Sequence, residues 1–499
     1  MKENNKVSRR GFLGTGAAAA AAITIIPSNT IAGLGHKAPS DKLNIAGVGI
    51  GGMGHGNLKN LSSENIVGLC DVDWKYAEGC FKEYPNAKKY KDWRVMYDEI
   101  GKSIDGVLVA TADHTHAIIA SNAITLGKHV YVQKPLTHTV YESRLLTKLA
   151  DKYKIASQMG NQGSSGEGVN LTCEWIANGE IGEVSKVEAF TDRPIWPQGL
   201  NTPKQGQWVP ETLDWDLFTG PAQMRPYNEL YHPWNWRGWW AYGTGALGDM
   251  ACHILHPVFM GLQLGYPIKA QGNSTLLLKD CAPTAQSVKL TFPARPTAKA
   301  AKVKLPQVEV YWYDGGIKPM LPAGWPAGKN PNDQGGCVFF HGTKGILVCG
   351  CYGVNPWILR PDGTVSKPEN APKFRRRVAP LSHEMDWVRA AKESPETRVK
   401  TASDFSQSGP FNEMVVMGVL AVRLQTLNKE LEWDGPNMKF TNITADEKIK
   451  IVLEDKFSIH DGHPTFEKVY TDPVPATEFA AELIKHTYRA PWSLPPMPA

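Results

Sequence analysis

The chain has 499 residues, 42% of them hydrophobic, enough to bury a large core and fill two domains with peripheral segments. Its formal charge is +5, but residues 1–40 hold five basic side chains (Lys2, Lys6, Arg9, Arg10, Lys37) against Glu3, so the remainder is close to neutral. The longest basic run is Arg375-Arg376-Arg377, which excludes a nucleic-acid surface built on excess charge.

The N-terminus reads as an address. Ser8-Arg9-Arg10-Gly11-Phe12-Leu13 precedes an Ala-rich apolar stretch from Gly14 to Ile26, followed by Pro27. That stretch is too short to span a bilayer, and paired arginines before it have the layout of a twin-arginine signal with its linker over 1–40. The mature protein is expected in the periplasm or outside the cell, without stable membrane insertion. No cysteine precedes Cys70, so a lipoprotein anchor has no attachment point. Twin-arginine substrates fold before export in a reducing compartment, so the eight cysteines are expected as small core residues rather than disulfides.

From residue 41 to 160 short apolar runs alternate with helical periodicity. Leu43 to Gly49, Ile66 to Cys70, Val107 to Ala110 and Val130 to Val132 read as buried parallel strands. Trp74 to Tyr84, Trp93 to Ile100, His116 to Leu126 and Thr139 to Tyr153 read as helices, the last opening on a Thr139/Glu142 capping box. The alternation predicts an α/β fold with a doubly wound parallel sheet. From 161 to 434 loops rich in Trp, Pro and Gly surround candidate strands at Val184 to Phe190, Ser287 to Phe292 and Val308 to Tyr313, with helices at His383 to Lys392 and Phe411 to Leu427. A second domain containing a sheet is the economical reading, and residues 435–499 are expected to be an irregular tail on the body.

Between the first strand and first helix, Gly49-Ile50-Gly51-Gly52-Met53-Gly54 fits G-x-G-x-x-G, the loop that lets backbone approach a pyrophosphate at a helix N-terminus. Gly47-x-Gly49-x-x-Gly52 also fits, but the first phase leaves the strand unbroken to Val48. Asp71 follows the second strand, 22 residues after Gly49, where an acid holds the adenosine ribose and disfavours a 2′-phosphate, so NAD is expected over NADP.

Val130-Tyr131-Val132-Gln133-Lys134-Pro135 ends a strand on the ligand side of such sheets, where Lys134 can exchange protons with a substrate hydroxyl. Asp249 and His253 are four apart, so a helix puts them on one face, the carboxylate orienting an imidazole that accepts a hydroxyl proton. No further ligand stands at useful spacing, and no metal is expected. Nearby, Trp234, Trp236, Trp239 and Trp240 offer stacking surfaces and Arg237 offers hydrogen bonds to a sugar, with Trp236, Arg237 and His253 as substrate candidates. The same tryptophans equally suit a domain core or an interface.

These elements, in this order, resemble the Gfo/Idh/MocA oxidoreductase family over roughly Leu43 to Leu431. The glycine loop corresponds through Gly49, Gly51 and Gly54. Ala110-Thr111-Ala112-Asp113-His114-Thr115-His116 looks like the family's Thr-Pro-x-x-x-His stretch, placing Thr111 and His116 at the cofactor. Lys134-Pro135 looks like its Glu-Lys-Pro, and Asp249/His253 like its Asp-x-x-x-His. The resemblance implies Lys134, Asp249 and His253 as the catalytic group with His253 as base. It also implies an open, mostly antiparallel second sheet that mediates homo-oligomers. Ala112 replaces the family's Pro, and Gln133 replaces its Glu, removing a negative charge beside Lys134 and altering the nicotinamide contacts.

An exported enzyme that released NADH would stop after one turnover, since free NAD is scarce outside the cytoplasm. The expected function is therefore oxidoreduction at a sugar, glycoside or polyol hydroxyl with NAD retained and recycled. Alternatives are glycoside cleavage by transient oxidation and elimination, and a non-enzymatic NAD-binding regulator; retention of Lys134, Asp249 and His253 together favours an enzyme.

Overall fold

The computed structural model describes residues 41–296, 302–373 and 375–498. The export-signal reading falls on residues 1–40, outside the described residues. No helix among the described residues is long and apolar enough to cross a membrane.

The first sheet forms from β1 (Asn44–Val48), β2 (Asn65–Cys70), β3 (Lys88–Tyr90), β4 (Gly106–Val109), β5 (His129–Gln133) and β6 (Ser157–Gly160), in the order β3-β2-β1-β4-β5-β6 with every pair parallel. Alternation sorts its side chains onto two buried faces. Ile45, Leu69, Leu108 and Tyr131 face one way, and Val48, Cys70, Val107 and Val130 the other. The connecting helices are α1 (Met53–Asn60), α2 (Glu78–Glu83), α3 (Trp93–Ile100), α4 (Asp113–Thr125) and α5 (Val140–Tyr153). The capping box of α5 is present: Thr139 Oγ1 accepts from the Glu142 amide at 3.2 Å and Glu142 Oε2 from the Thr139 amide at 3.0 Å. The strand order reverses between β1 and β4, which opens a cleft at the carboxyl ends of the strands.

After α6 (Glu167–Asn178) the chain builds β7 (Val184–Thr191), α7 (Trp215–Thr219), α8 (Gly245–Ile254), α9 (His256–Gly261), β8 (Lys269–Ser274), β9 (Gln286–Phe292), β10 (Val308–Tyr313), β11 (Gly336–Gly342), β12 (Gly345–Gly350), β13 (Trp357–Leu359) and β14 (Val365–Ser366). With β15 (Leu431–Asp434) and β16 (Lys439–Phe440) these strands make a ten-stranded sheet in which only β7 and β10 pair in parallel. The fold class is thus the expected one, an N-terminal Rossmann sheet followed by a mixed, mostly antiparallel one. Part of the second sheet's outer face is covered by the chain itself: Trp325 lies against Phe339 and Trp357, with ring centroids 5.3 and 5.2 Å away.

Two later helices lock the domains together. In α10 (His383–Lys392), Trp387 is fully buried against the first sheet, where a Cβ on Gly106 would lie 2.7 Å from its ring. Helix α11 (Phe405–Arg423) packs between α5 and β8, and its Asn412 accepts from the Leu136 amide at 3.0 Å while donating to Thr137 and Ser143. The helix expected from Phe411 therefore begins six residues earlier and runs through Pro410.

Residues 435–499, read from sequence as irregular, carry short strands β17 (Lys448–Ile449) and β20 (Val474–Pro475), a hairpin of β18 (Val452–His460) and β19 (His463–Tyr470), and α12 (Ala476–Ile484). The hairpin turns on Asp461-Gly462, both at positive φ. Most of its residues are exposed on both faces, so no buried alternation marks it in the sequence.

Candidate active site

The glycine loop joins β1 to α1. Gly49 has φ +78°, and a Cβ there would lie 2.6 Å from the Ala110 carbonyl and the Thr111 nitrogen; a Cβ on Gly54 would lie 2.1 Å from the Gly49 oxygen. Close backbone approach, not only turn geometry, demands these two glycines. Gly47 lies inside β1, so the loop runs in the phase that starts at Gly49. Helix α1 has Gly52 as its N-cap and no side-chain cap, which leaves first-turn amides for an anionic ligand. Gly49, Gly51, Gly52 and Met53 line the cleft, whereas Ile50 is fully buried beneath them.

Asp71 grips this loop directly. Its Oδ2 accepts from the Ile50 and Gly51 amides at 2.8 and 3.0 Å, and its Oδ1 from the Asp73 amide at 3.0 Å. Burial pushes its pKa up to about 6 although these amides favour the carboxylate. The residue still lines the cleft where an adenosine ribose would lie. A glycine cradle that a Cβ would fill, an uncapped helix and an acid at the end of β2 together fit a dinucleotide without a 2′-phosphate.

One cavity of about 350 Å³ runs from Asp71 past Thr111 and Lys134 to Trp196 and Tyr352. At its centre Lys134 Nζ lies 2.7 Å from Asp249 Oδ1 and donates to the Asp249 carbonyl at 3.1 Å. Arg237 Nε donates to the same Oδ1 at 3.1 Å. Burial works to raise the Asp249 pKa, but the Lys134 and Arg237 cations prevail and hold it at about 2. One helical turn on, burial and the Lys134 charge push His253 down to about 3, so its ring is neutral in the physiological range. The His253 Nδ1 is enclosed without a hydrogen-bond partner among the described residues, and the ring centroid lies 4.5 Å from that of Tyr352.

The sugar-facing candidates divide. Arg237 is clamped between Trp234 and Trp236, its guanidinium carbon 3.8 and 4.3 Å from their ring centroids, and all three line the cavity. Trp239 and Trp240 are core residues instead; Trp239 is fully buried and donates Nε1–H to the Leu230 carbonyl at 2.6 Å.

Two residues expected at the cofactor serve partly or wholly as supports. His116 is buried with Nδ1 2.8 Å from the Pro135 carbonyl and Nε2 3.1 Å from the Thr111 carbonyl, tying together two loops that reach the cleft while not lining it. Gln133 lines the cleft but donates to Asn57 Oδ1 at 2.7 Å, a bond that the family's glutamate could not make, and so links β5 to α1. The adjoining Asp113, raised to about 7 by burial, accepts from the Thr244 amide and hydroxyl at 3.1 and 2.8 Å and fixes the start of α8.

Sequence reasoning missed Tyr76, Trp196, His232, Tyr352 and Trp492, which come from separate loops and meet only in the fold. His232 lines the cleft with its Nε2 held 3.0 Å from Asp73 Oδ2. All eight cysteines are free and buried, as expected.

Comparison with known proteins agrees with this layout. Residues 42–161 match the oxidoreductase family's NAD-binding Rossmann fold and residues 180–294 its C-terminal alpha/beta domain, under the Gfo/Idh/MocA name. The chain is 25% identical over 228 residues to a "Glycosyl hydrolase family 109 protein" of Shewanella pealeana, an alignment covering 41% of this chain and 50% of that protein. It is 28% identical over 142 residues to an inositol 2-dehydrogenase of Salmonella typhimurium, covering 27% and 42%. The chain thus spans half the length or less of these relatives. In fold it is similar to the WlbA dehydrogenase of Bordetella pertussis, solved with NADH and UDP-GlcNAcA, with TM-score 0.52, 15% identity and coverage of 79% of this chain and 99% of that one. Residues 42–161 and 180–294 are thus similar, in the same order, to the two domains of the Gfo/Idh/MocA oxidoreductase family, and the Rossmann domain is an NAD-binding one.

Proposed function

We propose that the protein is an NAD-dependent oxidoreductase acting on a hydroxyl-bearing carbon of a sugar, glycoside or polyol, and that its nucleotide stays bound and is recycled within the site. The observation that carries this reading is the Lys134–Asp249 pair at 2.7 Å with neutral His253 one turn away, set between the glycine cradle and the Trp234/Arg237/Trp236 wall. When bound, NAD supplies the hydride acceptor, or in its reduced form the donor.

The residues supply everything else. Asp249 holds Lys134 as a fixed cation at the cavity, where it stabilises negative charge growing on a substrate oxygen. Neutral His253 can accept the hydroxyl proton as the carbon is oxidised and return it on reduction. Because burial and Lys134 disfavour its cation, His253 gives that proton up readily. Trp234 and Trp236 present edges and faces for a sugar ring, and Arg237 orients its hydroxyls.

Retention fits the sequence of residues 8–27, which has the layout of an export signal. Similarity to a protein named for glycosyl hydrolase family 109 favours a second reading, net glycoside hydrolysis by oxidation and re-reduction at one nicotinamide. Association of copies through the second sheet belongs to the same proposal.

The test is to purify the protein without added nucleotide, denature it and assay released NAD(H), then to offer inositol, free sugars and aryl glycosides. Bound nucleotide supports the recycling reading; an empty preparation contradicts it. Aglycone release without net NADH selects glycosidase chemistry, whereas NADH that a second sugar discharges selects oxidoreduction.

A further inference from the structure

The adenine end of the cleft is closed by a residue far outside the two matched domains. Trp492 lines the cavity beside Trp93 and is 7% exposed. Its ring lies 4.4 Å from the Arg94 guanidinium carbon and 6.3 Å from the Trp93 ring. Asp71 directly follows β2 and marks the adenosine ribose, while Trp93 opens α3 just beyond β3, the next strand outward. Trp492 therefore walls the adenine rather than the nicotinamide.

The segment that carries Trp492 is tied to both sides of the cleft. On one side the Arg489 amide donates to the Pro221 carbonyl at 2.8 Å, and its guanidinium donates to the Gly220 carbonyl and pairs with Asp216 at 2.7 Å. Asp216 lies in α7 and Gly220 and Pro221 follow it, and Leu217 and Phe218 of that helix line the same cavity. On the Rossmann side the Tyr488 hydroxyl donates to Glu142 Oε1 at 2.7 Å and Lys148 donates to the Pro498 carbonyl at 3.2 Å. Arg489 itself does not line the cavity.

We propose that residues 488–492 are a clasp over the adenine end of the NAD cleft, with Trp492 as its wall and Arg489 as its anchor, and that its opening limits nucleotide exchange. The clasp rests on the reading that NAD is retained, and it supplies the physical means. A ligand enclosed on this side leaves only when the anchored segment lifts, so the effect falls on the release rate.

The experiment measures release of NADH from the full chain by fluorescence after displacement with excess NAD, for wild type, Trp492→Ala and Arg489→Gln. Both variants should release NADH faster than wild type by about tenfold or more. Arg489→Gln is decisive because it touches no nucleotide and acts only by freeing the segment. A wild-type rate for Arg489→Gln, with melting of the nucleotide-free protein unchanged, overturns the clasp even if Trp492→Ala is fast. Should Arg489→Gln fail to fold, Tyr488→Phe, which loses only the hydroxyl bond to Glu142, must show accelerated release or the clasp is wrong. A wild type that purifies empty contradicts retention, yet the ratio of release rates still decides the clasp.

Discussion

Lys134 and Asp249 meet at 2.7 Å across the joint between the two domains, one at the end of β5 and the other on α8. Their meeting depends on a backbone splice: Asp113 holds Thr244, the His114 amide donates to the Tyr242 carbonyl at 3.3 Å, and His138 Nε2 lies 3.0 Å from the Gly243 carbonyl. The Rossmann loops thereby set the position of the helix that carries Asp249 and His253.

Lys134→Met should lower kcat by about 100-fold to 10,000-fold while NAD affinity changes by less than about threefold. Asp249 keeps Arg237 as a partner in that variant, so the fold survives. Steady-state kinetics beside a nucleotide titration separates the two effects.

His253→Asn should cost a similar factor in kcat, and it should also flatten acid sensitivity. The folded-state pKa of His253 is pushed to about 3, below its ordinary 6.5, so its contribution to stability is full above the unfolded value and is lost as pH falls toward the folded one. Denaturant unfolding at several pH values between about 6 and 4 should show a shallower loss in the variant than in wild type.

Asp71 predicts the opposite sign. Its folded pKa is raised to about 6, so its stabilising contribution to the nucleotide-free protein is present below its unfolded value and is lost as pH rises through 6. The ionised form is the one that would accept from ribose hydroxyls of a bound nucleotide. NAD affinity should therefore fall by up to about tenfold per pH unit below the inflection, and Asp71→Asn should abolish that dependence and narrow the preference over NADP.

A glycine pair on α1 gives a test of the cradle. Gly54→Ala drives a methyl against the Gly49 oxygen and should cost about 2 kcal/mol or more, together with NAD binding. Gly56→Ala meets nothing within 4 Å and should instead stabilise the protein by about 0.5 to 1 kcal/mol with binding intact. Thermal melting and a nucleotide titration read both.

What the sequence reveals follows the range of the interactions involved. Gly49 to Gly54, Asp71, Lys134 and the Asp249/His253 spacing are legible because one strand end or one helical turn defines each. Trp387 burying itself on the first sheet, and Trp492 reaching the cleft, depend on contacts hundreds of residues away, for which local periodicity carries no signal. Trp239 and Trp240 look like Trp234 and Trp236 in sequence, and only packing separates core from cavity. The hairpin at 452–470 did leave a sign in Asp461-Gly462, the dipeptide that a tight turn with two positive φ angles requires.

Transfer of isotope is the most direct measurement of the chemistry. NAD-loaded protein would be mixed with a sugar or polyol deuterated at its carbon-bound hydrogens, the reaction quenched within the first wild-type turnover before the hydride is passed on, and the reduced nucleotide recovered and analysed by mass. Deuterium on the nicotinamide in wild type, and none above background in Lys134→Met or His253→Ala at equal NAD occupancy, is the predicted result. Undeuterated nucleotide in wild type across the panel of inositol, free sugars and glycosides, or undiminished transfer in both variants, would contradict oxidoreduction by these residues.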